Sequence, residues 1–177
     1  MKFLLVVDMQ NDFITGTLAN EDAQKIVPII ADYLKSWDGA IIFTRDTHDS
    51  DYLQTMEGKK LPIPHCLRDT EGWQINSDLI DSLNQDIKLP ALCFNKPTFG
   101  YAHKLAELIT DDLNTYPTSI EVVGTCTDIC VVSNVLGLKE YFPEVPIKVH
   151  SNMCAGLTKE KHEAALEVMR SCQIEVI

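Results

Sequence analysis

Short apolar runs separated by helix-length segments constrain this chain more than any other feature. Phe3 to Val7 is continuously apolar and stops at Asp8. Ala40 to Thr44, Ala91 to Phe94, Ile120 to Val123, Pro146 to Val149 and Ile174 to Ile177 repeat the pattern. A strand that is apolar at successive positions has both faces covered, as in a parallel sheet lying between helices. The intervening segments read as helices. From Glu21, apolar residues recur at Ala23, Ile26, Val27, Ile30, Ala31 and Leu34, with Asn20 placed to cap the start and Gly39 closing the segment. Pro28 inside this helix is a cost and a kink. Further helices are predicted over Ser77 to Leu83, Tyr101 to Leu113 and Val131 to Tyr141. A last one, capped by Thr158, carries Ala164, Ala165, Val168 and Met169. Strand and helix alternate without an internal repeat or a linker. The expectation is an α/β fold: a single domain over residues 1–177, three αβα layers, and a mostly parallel central sheet of about six strands.

The chain has 177 residues, 45% of them hydrophobic, enough for one buried core. No apolar run approaches the ~20 residues of a membrane span. The first run meets Asp8 at once and no small-residue cleavage site follows, so it reads as a strand rather than a signal peptide. A formal net charge of −11 argues against a nucleic-acid partner and against an anionic membrane surface. The six cysteines form no CxxC pair and no secreted-domain spacing, which suits reduced thiols in a cytoplasmic protein. Cys93 and Cys172, in or beside apolar runs, are assigned to the core.

Ligand sites of such folds collect at the carboxyl ends of the strands. Reactive residues fall at four of them: Asp8, Asp46 with His48, Lys96, and Cys130 in the turn Gly124-Thr125-Cys126-Thr127-Asp128-Ile129-Cys130-Val131. A cysteine in the first turn of a helix meets unpaired N–H groups and the positive end of the helix dipole, which favour thiolate. The same N–H groups can hold an oxyanion. Asp8 is a candidate base for Cys130, and Lys96 a cation able to hold both anions in place. Taken singly, Asp8 reads equally as a cap or loop ion pair, Lys96 as a solvated lysine and Cys130 as a structural thiol. Their joint placement carries the functional reading.

A second constellation is Asp46-x-His48, then Glu57, then His65. Imidazoles plus carboxylates, with positions left for water, suit Zn2+, Mn2+ or Fe2+. Such a metal could hold a pyridine nitrogen or polarise a substrate. Asp49, Asp51 and Glu57 equally fit a solvated loop, and His65 between Pro64 and Cys66 also fits packing. His103 and His162 read as surface or helix-face residues, and His150 as a hydrogen-bonding residue at a strand end.

These pieces resemble the isochorismatase-like cysteine hydrolases, and within them the nicotinamidases. The matching segments are Val7-Asp8-Met9-Gln10-Asn11-Asp12-Phe13, Asp46-Thr47-His48, Pro64-His65-Cys66, Lys96-Pro97-Thr98-Phe99-Gly100, the Cys130 turn, and Ala155-Gly156-Leu157-Thr158. The resemblance implies an Asp8–Lys96–Cys130 triad, a thioester intermediate, and release of ammonia before the acid. It implies a non-proline cis peptide at Cys126–Thr127 that aims the Cys126 and Cys130 N–H groups as an oxyanion hole. It also implies a divalent metal held by Asp46, His48 and His65, with Glu57 added in some members. Phe13 resembles an aromatic wall of the substrate pocket. The implied role is hydrolysis of nicotinamide to nicotinate in pyridine nucleotide salvage, in a protein that self-associates. Nicotinamidases usually carry tryptophan where Thr47 stands and often tyrosine where Ile129 stands, so Tyr101, Tyr52 or Trp73 is expected to supply the missing aromatic.

Other readings stay open at this level. The missing tryptophan also suits a cysteine hydrolase of N-carbamoyl, ureido or other small amide compounds. Isochorismatase chemistry itself fits poorly, because that branch places a non-cysteine residue at the nucleophile position. A non-enzymatic module is disfavoured by the intact triad. A redox pair of Cys126 and Cys130 is disfavoured by its CxxxC spacing in a rigid turn.

Overall fold

The structure, a computed structural model, describes residues 1–83 and 91–177. Its sheet follows from the apolar runs: β1 (Lys2–Val7), β2 (Ala40–Asp46), β3 (Ala91–Lys96), β4 (Ser119–Thr125), β5 (Ile147–Ala155) and β6 (Glu175–Val176). They lie in the order β3-β2-β1-β4-β5-β6 and every neighbouring pair is parallel. β1 is central and alternates perfectly. Phe3, Leu5 and Val7 face one apolar cluster, while Leu4 and Val6 face the other. Continuous hydrophobicity in this strand therefore reports two buried faces.

Helices cover both faces. On one side α5 (Ala102–Glu107), α6 (Val132–Tyr141) and α7 (Lys159–Ser171) contribute Leu105, Val135, Leu138, Leu166 and Met169 to the first cluster. On the other side α2 (Glu21–Ser36) and α4 (Ser77–Asp81) contribute Ile26, Ile30, Leu34 and Leu79 to the second. α2 forms despite Pro28, whose interior position costs about 3 kcal/mol. Five buried apolar side chains on one face, at about 1.5–3 kcal/mol each, outweigh it. Asn20 caps α2 as expected, accepting from the N–H groups of Asp22 and Ala23 at 2.8 and 3.3 Å. Short helices α1 (Asn11–Ile14) and α3 (Met56–Lys60) sit in the loops after β1 and β2. Among the described residues no helix is long and apolar enough to cross a membrane.

Several expectations shift. β5 runs on to Ala155, well past Val149, so His150 lies within the strand. There its Nε2 sits 2.5 Å from the Glu121 carboxylate, which also accepts from the Tyr33 hydroxyl at 2.6 Å. The helix expected over Tyr101 to Leu113 is α-helical only to Glu107 and continues as a wider π-type turn over Leu108–Asp112. In α7 it is Leu166 that is buried, while Val168 is exposed. Cys93 and Cys172 are exposed rather than core. Cys93 sits on β3, which pairs only with β2 among the described strands, and Cys172 caps the end of α7. All six cysteines are free thiols.

The order places a switch point at the centre of the sheet. The chain builds outward from β1 through β2 to β3, then returns to the other side of β1 with β4. Open α/β sheets bind ligands in the crevice outside the carboxyl ends at such a point. β1 and β4 are held tightly there. Gly124 has φ +121°, and a Cβ at this position would lie 2.2 Å from the Val7 carbonyl oxygen and 2.7 Å from the Val7 nitrogen. Both obstacles are backbone of the central strand. Gly124→Ala is therefore expected to cost at least about 2 kcal/mol of stability, read as a lowered urea midpoint with an unchanged slope.

Candidate active site

Asp8 follows β1 directly and is fully buried, with φ +48°. This turn is fixed by Thr44 of β2, whose hydroxyl accepts from the Asp8 N–H at 3.1 Å and donates to Asp8 Oδ1 at 2.6 Å. Lys96, the last residue of β3, is also fully buried. Its Nζ stands 2.7 Å from Asp8 Oδ2 and 3.4 Å from Asp46 Oδ1. It also donates to the Thr98 carbonyl at 3.2 Å and reaches Cys130 Sγ at 3.4 Å. Cys130 sits in a wide helical turn, Thr127–Val131, that leads from β4 into α6. The three residues expected to act together are thus brought together.

The cluster's electrostatics set its protonation. Burial raises the proton affinity of Asp8, Lys96 opposes this, and Asp46 adds to it. Burial also pushes the Cys130 thiol well up, the Asp8 carboxylate pushes it further, and Lys96 pulls it back. These influences act against the expected bias toward a standing thiolate. Burial would discharge Lys96, but the neighbouring Asp8 and Asp46 carboxylates hold it as ammonium. A thiol beside a buried carboxylate with a raised proton affinity is an arrangement in which that carboxylate can accept the sulfur's proton.

The second constellation also assembles. Ligand atoms of Asp46, His48, Glu57 and His65 all lie within 4.8 Å of one another. Asp46 Oδ2 is 3.1 Å from His48 Nε2 and 3.6 Å from His65 Nε2, and Glu57 Oε1 is 3.5 and 3.7 Å from the same two nitrogens. His65 Nδ1 lies 2.9 Å from the Ile63 carbonyl. This contact orients the ring so that Nε2 faces the carboxylates. Burial opposes ionisation of Asp46, yet hydrogen bonds from His48 and His65 and the charge of Lys96 bring its pKa down. Glu57 moves up, through burial first and then the Asp46 carboxylate. Two carboxylates in mutual repulsion facing two imidazole nitrogens form a donor set that fits a divalent cation.

Both groups open on one cavity of about 600 Å3, lined by Asp46, Glu57 and His65 on one side and by Cys126, Ile129 and Cys130 on another. Phe13 lines it as expected, its ring 5.6 Å from that of His65. Tyr101 does not. It precedes α5 and packs against Phe94 and His103, its N–H held by Asn134 Oδ1 at 2.9 Å. Phe99, two residues earlier, takes the place on the cavity rim. Tyr52 and Trp73 supply no wall either. Tyr52 is buried behind His48 and His65, ring to ring at 4.6 and 5.0 Å, with its hydroxyl donating to the Leu61 carbonyl. Trp73 Nε1 donates to Thr47 Oγ1 at 2.8 Å, away from the cavity.

The cis peptide lies between Thr125 and Cys126, one bond before the expected Cys126–Thr127. Thr127 already belongs to the helical turn, in which the Ile129 and Val131 N–H groups both donate to the Cys126 carbonyl at 3.0 and 3.1 Å. The change of direction therefore falls where the β4 ladder ends. His162 is more than a helix-face residue: its Nδ1 lies 2.8 Å from Thr127 Oγ1 and ties α7 to this turn.

Three supports had not been singled out. Gln10 is fully buried. Its Nε2 donates to the carbonyls of Asp46 and Trp73, both at 2.9 Å, and its Oε1 accepts from the Asp46 N–H at 2.7 Å. Thr44 orients Asp8, and its signal was a lone hydroxyl closing an apolar strand. Asn134 donates to the carbonyls of Cys130 and Phe99 at 2.8 and 3.2 Å, joining the nucleophile turn to the loop after β3. A buried asparagine inside a helix leaves no such mark in sequence.

Known proteins share this arrangement of chain. The nicotinamidase of Schizosaccharomyces pombe is 26% identical over 208 residues, covering 98% of this chain and 91% of that protein. The crystal structure of a nicotinamidase from Bacillus subtilis matches with a TM-score of 0.80 at 25% identity, covering 99% of this chain and 98% of that one. The pyrazinamidase of Pyrococcus horikoshii, solved in complex with zinc, matches with a TM-score of 0.76 at 23% identity, covering 99% and 98%. The isochorismatase domain matches residues 2–177, all but the first residue, and the protein belongs to that family.

Proposed function

We propose that this protein is an amidohydrolase that converts nicotinamide to nicotinate and ammonia through a thioester on Cys130. The observation that carries this reading is the buried Asp8–Lys96–Cys130 cluster opening on the same cavity as the Asp46–His48–Glu57–His65 quartet. Asp8 takes the thiol proton as sulfur attacks the amide carbon, and Lys96 keeps the carboxylate and the developing thiolate in place. Backbone N–H groups of the Cys126–Cys130 turn receive the oxyanion. Asp8 returns its proton to the leaving nitrogen, the C–N bond breaks and ammonia departs. Water, deprotonated by Asp8, then attacks the thioester, and the acid leaves as the thiol reforms.

Asp46, His48, Glu57 and His65 would hold a divalent cation, which would supply a Lewis-acid anchor for the substrate's ring nitrogen. The donor set supports this reading, as does the zinc in the Pyrococcus horikoshii pyrazinamidase. The alternative, hydrolysis of an N-carbamoyl or ureido compound, uses the same thiol and base and differs only in what fills the cavity.

Purified protein supplied with Mn2+ or Zn2+ and nicotinamide is expected to release ammonia. Turnover of another amide but not of nicotinamide, at any metal, removes nicotinamide as the substrate. Cys130→Ala is expected to lower kcat by at least about a thousandfold with the circular-dichroism spectrum unchanged. Activity surviving that change would rule out the thioester. Glu57→Gln is expected to weaken metal binding by at least about tenfold in titration against a chelating dye, and unchanged affinity would remove Glu57 from the ligand set.

Lys96→Met tests the cation's structural role in metal-free protein. It leaves two buried carboxylates without their ammonium, at an expected cost of about 3–5 kcal/mol at pH 7. The sign with pH follows from Asp8. Its folded pKa is already raised above the ordinary 3.8 and rises further without Lys96. A raised carboxylate destabilises the fold when ionised, so the deficit relative to the parent is full above the raised value. It closes as pH falls toward 3.8. A deficit independent of pH would show that packing, not charge, makes Lys96 necessary.

A further inference from the structure

Phe99 and Leu157 are large apolar side chains left 45% and 50% exposed, and both line the mouth of the Cys130 cavity. Leu18 and Ile129 continue the apolar surface inward. The cavity, at about 600 Å3, is larger than its proposed substrate requires. Nicotinamide has nine heavy atoms. At no more than about 30 Å3 each, the share of a water molecule in the liquid, they fill less than half of it.

Charge restricts what the remainder can hold. Among the described lining residues are Asp46, Glu57 and Glu21, and none is Lys or Arg. The ammonium of Lys96 lies behind Cys130 and is matched by Asp8. A dication held by Asp46 and Glu57 would be matched by those two carboxylates. Glu21 is left over at the start of α2; Lys25, one turn on, feels its charge but is held by Asp22 at 2.7 Å, so these three leave the mouth net negative with or without metal.

We infer that the cavity selects neutral primary carboxamides whose acyl group carries an apolar extension beyond a single ring, and that it rejects amides bearing a carboxylate. The extension lies against Phe99, Leu157, Leu18 and Ile129 and removes their exposed surface from water. A carboxylate in the same place would lose its hydration beside Glu21 with no cation to receive it. This substrate class rests on the amidohydrolase reading above and narrows it, setting ureido acids aside.

A homologous series of straight-chain primary amides, propanamide to decanamide, whose longer members exceed nicotinamide's nine heavy atoms, separates the two claims. Ammonia release is measured with the metal-loaded protein. Each added methylene is expected to raise kcat/KM about threefold to fourfold, the transfer free energy of one buried CH2, until the mouth is covered. The double variant Phe99→Ser, Leu157→Ser is expected to lower the decanamide-to-propanamide ratio by at least about fivefold. N-carbamoylsarcosine is expected to be at least about a hundredfold poorer than hexanamide at low salt, with the gap narrowing as salt screens Glu21. A flat or falling series in protein that hydrolyses nicotinamide overturns the apolar subsite and leaves the amidohydrolase reading standing. A ureido acid turned over as well as hexanamide overturns the charge selection. Silence toward every amide overturns the subsite and the reading beneath it together.

Discussion

The ammonium of Lys96 is the interaction on which the rest of the site depends. Lysine is almost never fully buried unless it is paired, and the lost hydration costs several kcal/mol. Here a carboxylate stands 2.7 Å away, a second at 3.4 Å, and a carbonyl and a sulfur complete the surroundings. The dependence is mutual. Asp8 and Asp46 emerge from adjacent strands and would repel each other in a space closed to water. The cation between them makes two buried carboxylates tolerable in one place. Lys96 and three of its partners also span four strands: β3 supplies the lysine, β2 supplies Asp46, β1 leads to Asp8, and the turn after β4 supplies Cys130. Only a sheet with all four strands parallel brings those four carboxyl ends to one edge.

That cation also decides how the thiol is used. Burial and the Asp8 carboxylate favour the protonated form of Cys130, and Lys96 opposes them. The energetic balance therefore favours a proton passed to Asp8 during attack over a thiolate waiting at rest. A standing thiolate in an open cavity would invite oxidation and alkylation. A thiol that ionises only as it attacks is less exposed to both. The same balance explains why Asp8 is fixed so firmly by Thr44. A base with a raised proton affinity is useful only if its carboxylate cannot swing toward the quartet of metal-ligand candidates.

Much of this was legible in the chain. Continuous apolar runs gave the parallel sheet because both faces of a central strand are covered, and β1 shows those two faces residue by residue. The residues at the four strand ends were visible because each is a charged or reactive group directly after an apolar run. What could not be read was support from within buried segments. Gln10 grips the backbone of Asp46 across a loop whose path depends on the fold. Asn134 is one of several polar residues in α6, with Ser133, Lys139 and Glu140, and nothing in the sequence marks it as the buried one. Both become visible only when distant segments meet. The cavity wall was misread for a related reason. Tyr101 is aromatic and sits in the right loop, but the start of α5 turns it toward Phe94. Phe99 precedes that start and remains at the rim. One helix boundary, the least certain property of a sequence, decided which aromatic faces the cavity.

The same logic changes the meaning of Thr47. Standing where a tryptophan was expected, it had suggested a pocket stripped of its aromatic clamp. But Asp46 and His48 turn their side chains toward the quartet, and the residue between them in this extended stretch points the other way. Thr47 accepts from Trp73 Nε1 and donates to the Arg45 carbonyl, and the Arg45 guanidinium stacks 3.6 Å from the centre of the Trp73 ring. An indole is thus present in this region, brought by the loop after β2 instead of by β2 itself. It braces the back of Asp46 and His48 and leaves the cavity wall to Phe13, Phe99 and Ile129. A smaller residue at position 47 is therefore not evidence for a different substrate. The cavity lies on the opposite side, lined by Phe13, Phe99, Ile129 and the Glu21 carboxylate.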